Sequence, residues 1–232
     1  MKTRLYFIPN LFTLLNLFFG FLAIVKIMSG EFNIAAWFII FAVIFDAWDG
    51  ALARLTDSES NFGFVFDSFA DLISSGLAPS LLVYSSIIDS YGFWAVIICF
   101  VYVFAGSYRL SRFNILHKLK RSSGYIGLPL PVSAVTISAL WIFDPLIINI
   151  DISCWWIYII LLLSVIMVSP VPYHWPVISF KKGYKISIFS VLLLLGTLMM
   201  ILFPKKYLFP LLMIFILYNV VKWIIKSVIL KK

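Results

Sequence analysis

Residues 46–71 read DAWDGALARLTDSESNFGFVFDSFAD and contain six of the ten acidic residues in a chain that is 63% hydrophobic. Within this stretch Asp46 and Asp49 are three positions apart, and Asp67 and Asp71 are four positions apart. Residues at these spacings share one face of a helix. Ionised carboxylates at membrane depth are costly unless they are paired or bind a cation, so these four indicate a functional site.

The composition of the whole chain predicts an integral membrane protein. Its hydrophobic content exceeds the roughly one half that is usual for soluble domains, and only 12% of its residues are charged. A transmembrane helix needs roughly 20 apolar residues. We predict an all-α, polytopic transmembrane helical bundle with eight spans, near residues 11–29, 34–54, 63–86, 92–112, 131–149, 153–170, 186–203 and 207–228.

The distribution of Lys and Arg predicts how the bundle is oriented in the cell membrane. With a cytoplasmic N-terminus, fifteen of these residues lie on the inside, while only Lys205 and Lys206 lie in outside connections. Both termini and the acidic stretch are then cytoplasmic. The net charge of +8 comes from residues at membrane edges, so we expect anionic lipid head groups, and not nucleic acid, as their partners.

The acidic stretch predicts a metal site in a helical hairpin. The polar residues 55–62 separate the two acidic segments, so a hairpin would bring all four carboxylates into one pocket. Carboxylates without His or Cys suit hard cations, most simply two Mg²⁺ or Mn²⁺ ions. Two such ions could clamp a diphosphate for in-line displacement at phosphorus, and a carboxylate at the rim could accept the proton of an attacking hydroxyl. The residues thus predict metal-assisted phosphoryl transfer at a membrane surface.

Small and polar residues beside the carboxylates predict a surface that binds a bulky, phosphate-bearing ligand. Gly50 and Ala53 continue the face of the first two aspartates, where small side chains let a bulky ligand approach the helix. Arg54 supplies a permanent cation suited to a phosphate oxygen. Ser60 and Gly63 offer a hydroxyl and a bare backbone. A cation-coupled transporter would also carry intramembrane carboxylates, but it does not explain this Gly-x-x-Ala-Arg sequence or the crowding of the acids into one hairpin.

Written by spacing, the stretch is D-x2-D-G-x2-A-R-x8-G-x3-D-x3-D, and it resembles the signature of the CDP-alcohol phosphatidyltransferases at every defining position. The resemblance implies a six-helix catalytic core, usually a homodimer, that joins a CDP-linked lipid to an alcohol and releases CMP. We assign residues 1–185 to this core and 186–232 to two additional C-terminal helices.

The same resemblance implies a role for each acid. Asp46 and Asp67 would contact both metal ions, Asp49 the first and Asp71 the second, and Asp71 would also be the catalytic proton acceptor. The residues expected to contact the CDP-lipid include Gly50, Arg54 and Ser60.

Asn10 and Thr13 resemble the N-x-x-T element of the family, which approaches the nucleotide. The alternative for both residues is capping of the first helix at the membrane edge.

Outside the motif, the chain is similar to the short bacterial and archaeal phosphatidylserine synthases of this family. The resemblance implies CDP-diacylglycerol as donor and L-serine as acceptor, with glycerol 3-phosphate or an inositol phosphate as the alternative acceptors. Arg109 and Arg112 could bind the serine carboxylate by a two-pronged bond, or they could simply be positive-inside anchors. The similar segments are residues 9–21, 67–84, 108–114, 127–131 and 167–173.

Overall fold

The computed structural model of the chain describes residues 7–55, 60–118, 125–143, 155–173 and 204–229. These residues form an all-α bundle with one short antiparallel strand pair, β1 (Tyr125–Ile126) and β2 (Pro172–Tyr173). The helices are α1 (Phe7–Met28), α2 (Phe32–Leu55), α3 (Asn61–Asp71), a π-helical turn (Leu72–Leu77), α4 (Ala78–Tyr91), α5 (Phe93–Lys118), α6 (Leu130–Ile142), α7 (Trp155–Val168) and α8 (Pro204–Ile229).

The length and composition of the helices confirm the prediction of an all-α, multi-pass membrane protein. Within the described residues, two helices, Leu130–Ile142 and Trp155–Val168, are apolar but short. The predicted seventh span, 186–203, lies outside the described residues, so the number of eight spans stays a prediction. The described stretches long and apolar enough to cross a membrane are Asn10–Met28, Phe32–Gly50, Asn61–Tyr91, Phe93–Leu116 and Lys205–Ile225.

Glycines and one ion pair mark the turns between the first membrane-crossing helices. Gly30 has a φ of 76° between α1 and α2, and Gly92 has a φ of 50° between α4 and α5. Both values lie in the left-handed region, which glycine adopts without a steric penalty. The Lys26 ammonium lies 2.7 Å from the Glu31 carboxylate across the first of these turns. These short connections keep α1 packed along α2.

The helix that contains Asp71 changes its geometry directly after this residue. Leu72–Leu77 form the π-helical turn, a local widening that is frequent at functional sites. The Tyr102 hydroxyl of α5 donates to the carbonyl of Ser75 at 3.1 Å and lies 2.8 Å from the hydroxyl of Ser133 on α6. The π turn is therefore bonded to α5 directly and is linked to α6 through the Tyr102 hydroxyl.

Two apolar clusters hold the bundle together. One cluster joins α4, α5, α6 and α7 around Ile160 and Leu163, and the other joins α1, α2, α4 and α6 around Ile39 and Leu82. At the α1–α2 interface, the Phe19 and Phe45 rings stack with centroids 5.2 Å apart. Because Phe45 directly precedes Asp46, this stacking places the acidic end of α2 against α1.

We expect Gly20→Ala to destabilise the packing of α1 on the π turn. An added Cβ would lie 2.6 Å from the Cβ of Ser74, closer than packed carbon atoms approach. Overpacking of this kind costs about 1–3 kcal/mol, which thermal unfolding of the purified protein in detergent would measure. Gly50→Ala is the matched control, because its added Cβ meets nothing within 4 Å. Equal stability of the two variants would contradict this account of the α1 contact.

Candidate active site and metal centre

Three carboxylates from two helices meet where α2 and α3 lie side by side. Asp46 and Asp49 come from α2, and Asp67 comes from α3. One carboxylate oxygen from each residue lies within 4.8 Å of the other two. Asp49 is buried, and the other two are half-buried. The structure thus brings together three of the four aspartates that were predicted to be metal ligands.

Asp71, the fourth predicted ligand, lies beside this group on the next turn of α3. Its carboxylate interacts directly with that of Asp46, and the residue is only 7% exposed. Asp71 is also the last residue of α3 before the π turn, so the bonds that hold this turn limit its movement. Its predicted role as proton acceptor requires such a fixed position next to the metal ligands.

Two polar side chains of α1 orient one carboxylate from each acidic pair. The Thr13 hydroxyl donates to Oδ2 of Asp49 at 2.8 Å, and the Asn16 amide donates to Oδ1 of Asp71 at 3.1 Å. Both bonds are buried. Thr13 and Asn16 are three positions apart, so they share a helix face that points at the carboxylates. Helix α1 therefore positions ligands that belong to both α2 and α3.

The sequence-based interpretation missed Asn16, although a signal was present. An amide side chain in an otherwise apolar span is costly unless it has a partner, and this one follows Thr13 by three residues. The structure buries Asn16 completely. Thr13 and Asn10 both lie inside α1, which begins at Phe7, so helix capping does not explain either residue.

The donor set of the acidic group fits a hard divalent cation. All of its ligand atoms are carboxylate oxygens, which Mg²⁺ and Mn²⁺ prefer. Oδ1 of Asp67 is buried and has no hydrogen-bond partner among the described residues. Carboxylates this close repel one another, and a cation between them reverses the sign of the interaction. Asp46, Asp49 and Asp67 could therefore hold a metal ion, with Asp71 beside them.

The residues predicted to bind the CDP-lipid on α2 are described only in part. Gly50 is exposed, and a Cβ at this position would meet nothing within 4 Å. The backbones of Ala53 and Arg54 continue α2, but their side chains lie outside the described part of the chain. The space beside Gly50 would let a ligand approach the helix backbone.

The corresponding residues at the start of α3 form a tight contact with α1. The Ser60 hydroxyl accepts a hydrogen bond from the Gly63 amide at 3.0 Å and thereby caps α3. A Cβ on Gly63 would lie 3.0 Å from both that hydroxyl and Oδ1 of Asn10. These contacts give Ser60 and Gly63 a structural role. Binding of the CDP-lipid by Asn10, Ser60 and Gly63 stays a prediction.

Arg109 of α5 is a buried cation next to the acidic group. It is 5% exposed and interacts electrostatically with Asp71. Helix α5 is fixed to α3 by the Asn114 amide, which donates to the Ser68 hydroxyl at 3.0 Å. Because Ser68 directly follows Asp67, this bond ties the position of Arg109 to that of the carboxylates.

Arg112 lies one turn beyond Arg109 but makes different contacts. Its guanidinium donates to the carbonyl of Val168 at 3.0 Å and to that of Ile126 at 2.6 Å. It thus provides a donor for a carbonyl at the C-terminus of α7 and joins this helix to β1. The C-terminus of a helix carries partial negative charge, which favours a cation at this position. Gly127, with a φ of 82°, completes the junction, because a Cβ there would collide with the carbonyl of Met167.

The fold and the site together define a class: polytopic membrane proteins with an acidic, oxygen-lined site formed by a helix pair. Comparison with known families is more specific. The model of the family described as CDP-alcohol phosphatidyltransferase matches residues 6–149, and the chain belongs to this family. It is therefore a transferase of phospholipid synthesis in a membrane, which favours the enzyme over the alternative of a cation-coupled transporter.

Several curated relatives share most of their length with this chain. A CDP-diacylglycerol–serine O-phosphatidyltransferase of Helicobacter pylori is 32% identical over 223 residues, which is 95% of this chain and 92% of the relative. An archaetidylserine synthase of Methanothermobacter thermautotrophicus is 35% identical over 168 residues, 72% of this chain and 69% of the relative. A CDP-diacylglycerol–serine O-phosphatidyltransferase of Bacillus subtilis is 32% identical, over 76% of this chain and 92% of the relative.

We expect Arg112→Gln to destabilise the junction of α7 with β1 by about 1–3 kcal/mol, because carbonyls lose their donors. Arg112→Lys should recover little of this loss, since an ammonium lacks the planar fork that reaches two carbonyls at once. Thermal unfolding in detergent measures both effects, with Ser111→Ala, an exposed neighbour, as the control. If Arg112→Lys were as stable as the wild-type protein, the positive charge alone would hold the junction, and the two carbonyl bonds would not be needed.

Proposed function

We propose that the protein transfers the phosphatidyl group of CDP-diacylglycerol to the hydroxyl of L-serine and forms phosphatidylserine and CMP. The observation that carries this proposal is the convergence of Asp46, Asp49, Asp67 and Asp71 from two helices on one largely buried site. This site supports the reaction type. The choice of serine is supported by the names of the relatives, of which several are serine O-phosphatidyltransferases.

The metal requirement follows from the donor set. Asp46, Asp49, Asp67 and Asp71 would hold two divalent ions, Mg²⁺ or Mn²⁺. When bound, these ions neutralise the diphosphate of the CDP-lipid and stabilise the charge that develops on the leaving phosphate. Thr13 and Asn16 keep one oxygen of Asp49 and one of Asp71 in fixed positions, so the protein contributes pre-oriented ligands.

Asp71 is the proton acceptor in the proposed step. It takes the proton of the serine hydroxyl, and the serine oxygen forms a bond to the lipid-side phosphorus of CDP-diacylglycerol. The bond from this phosphorus to the bridging oxygen breaks, and CMP leaves with the electron pair. The proton then passes from Asp71 to solvent. No side chain forms a covalent bond to the lipid, so the kinetics should be sequential.

Arg109 is the proposed partner of the serine carboxylate. It is a buried guanidinium that interacts with Asp71, and a guanidinium can bind a carboxylate by two parallel hydrogen bonds. Arg112 was predicted for the same role, but its donors are directed to backbone carbonyls. We therefore assign acceptor binding to Arg109 first.

Three further properties belong to the proposal. The excess of Lys and Arg in the predicted inside connections supports a cytoplasmic active site and cytoplasmic termini. The family resemblance supports a homodimer. Residues 1–185 would form the catalytic core, and 186–232, which include α8, would add two helices to it.

The first test supplies purified protein with CDP-diacylglycerol, Mg²⁺ or Mn²⁺ and one acceptor at a time, and measures released CMP. We expect CMP with L-serine and none above background when EDTA removes the metal. CMP with glycerol 3-phosphate or an inositol phosphate, but not with serine, would contradict the acceptor assignment. Absence of CMP with every acceptor would contradict the proposed activity.

Asp71→Asn tests the proton acceptor. The amide keeps the shape of the side chain but cannot accept the proton, so kcat should fall by about 10²-fold or more. CDP-diacylglycerol should still bind, as measured by equilibrium dialysis with a radiolabelled lipid in detergent. Asp89→Asn, the same substitution at an exposed position near the end of α4, is the matched control. Full turnover by Asp71→Asn would remove Asp71 from this role.

A further inference from the structure

Asn16 of α1 contacts the proposed base directly. It is fully buried, and its Nδ2 donates to Oδ1 of Asp71 at 3.1 Å. A carboxylate only accepts hydrogen bonds when ionised, so the amide must present its nitrogen to Asp71. This orientation of the amide is therefore fixed by chemistry and not by the shape of the side chain.

The other end of the same amide is an unused acceptor. Oδ1 of Asn16 is buried and has no hydrogen-bond partner within the described ranges of the chain. A buried carbonyl oxygen without a donor is unfavourable, and such atoms are rare in folded proteins. Because Nδ2 of the same amide is bonded to Asp71, Oδ1 lies close to the proposed base.

The residues around Asn16 limit which kind of hydrogen-bond donor could pair with its Oδ1. One turn earlier Thr13 is already bonded to Asp49, and one turn later Gly20 packs on Ser74, whose own buried hydroxyl has no hydrogen-bond partner among the described residues. A partner must be a donor small enough to enter this site. An ammonium meets both conditions and also complements the negative charge of Asp71.

We propose that Asn16 is a specificity-determining residue: Nδ2 positions Asp71, and Oδ1 accepts a hydrogen bond from the ammonium group of the acceptor alcohol. This inference rests on the proposed function, in which the acceptor is L-serine. The serine hydroxyl is bonded to Asp71, its ammonium to Asn16, and its carboxylate lies near Arg109. The single amide of Asn16 thus recognises the acceptor alcohol through Oδ1 and orients Asp71 through Nδ2.

Two substitutions separate the two tasks of Asn16. Asn16→Asp keeps an oxygen acceptor but loses the donor to Asp71, so kcat should fall by about 10²-fold while KM for serine does not rise. Asn16→Leu removes donor and acceptor without adding charge, so kcat should fall and KM for serine should rise by about tenfold. KM for CDP-diacylglycerol should change less than about twofold in both. Asn33→Asp and Asn33→Leu, at the exposed start of α2, are the matched controls.

A substrate analogue tests the ammonium contact directly. The wild-type protein should prefer L-serine over 3-hydroxypropionate, which lacks the ammonium, and Asn16→Leu should lose about tenfold of this preference in kcat/KM. If 3-hydroxypropionate is not turned over, its inhibition constant against serine gives the same comparison. Retained CDP-diacylglycerol binding confirms that each variant is folded.

Each outcome has a separate meaning for the inference and for the proposed function. Absence of CMP from the wild-type protein with serine contradicts the proposed function. Wild-type constants in both Asn16 variants overturn only the inference. An unchanged preference for serine over the analogue overturns the ammonium contact. A raised Mn²⁺ requirement with an unchanged KM for serine also overturns it and assigns Oδ1 to the metal.

Discussion

Carboxylates held close together in an apolar bundle repel one another, and the surrounding helices must hold them in place. Oxygens of Asp46, Asp49 and Asp67 lie within 4.8 Å of one another, and Asp71 adjoins them. A divalent cation can offset this repulsion, because opposite charges attract strongly where water is scarce. The protein therefore supplies the geometry, and a cation bound there would lower the energy of the arrangement.

Helix α1 helps to hold the carboxylates in place and connects them to the rest of the fold. Thr13 and Asn16 give one donor to each acidic pair, and Gly20, on the same face, leaves room for the backbone of the π turn at Ser74. Polar contact and close packing thus occur along a single stripe. A shift of α1 along its axis would break both hydrogen bonds and force Gly20 out of register with the π turn. The three contacts reinforce one another.

The sequence predicted those parts of the site that depend on local spacing. The intervals between the aspartates and the polar segment between them were sufficient to predict the helix pair and the acidic group. The bond of Asn16 to Asp71 spans 55 positions, and that of Arg112 to Val168 spans 56. Periodicity tells which face of a helix is polar, but it does not tell which other helix that face contacts. The same limit applies to the π turn, where the carbonyl of Ser75 accepts a hydrogen bond from Tyr102, 27 positions further along the chain.

On the proposed function, acceptor selection does not require a pocket separate from the acidic group. Asn16 on α1 and Arg109 on α5 both interact with Asp71, so a hydrogen-bond acceptor and a cation lie around the proposed base. A zwitterionic alcohol can satisfy both groups while its hydroxyl is held at Asp71. An anionic alcohol such as glycerol 3-phosphate can form an ion pair with Arg109, but it has no ammonium group to donate a hydrogen bond to Oδ1 of Asn16. A buried polar atom that one substrate satisfies and another leaves unpaired discriminates more strongly than pocket size does. On the proposed function, the preference for serine therefore arises from the same amide that orients the base.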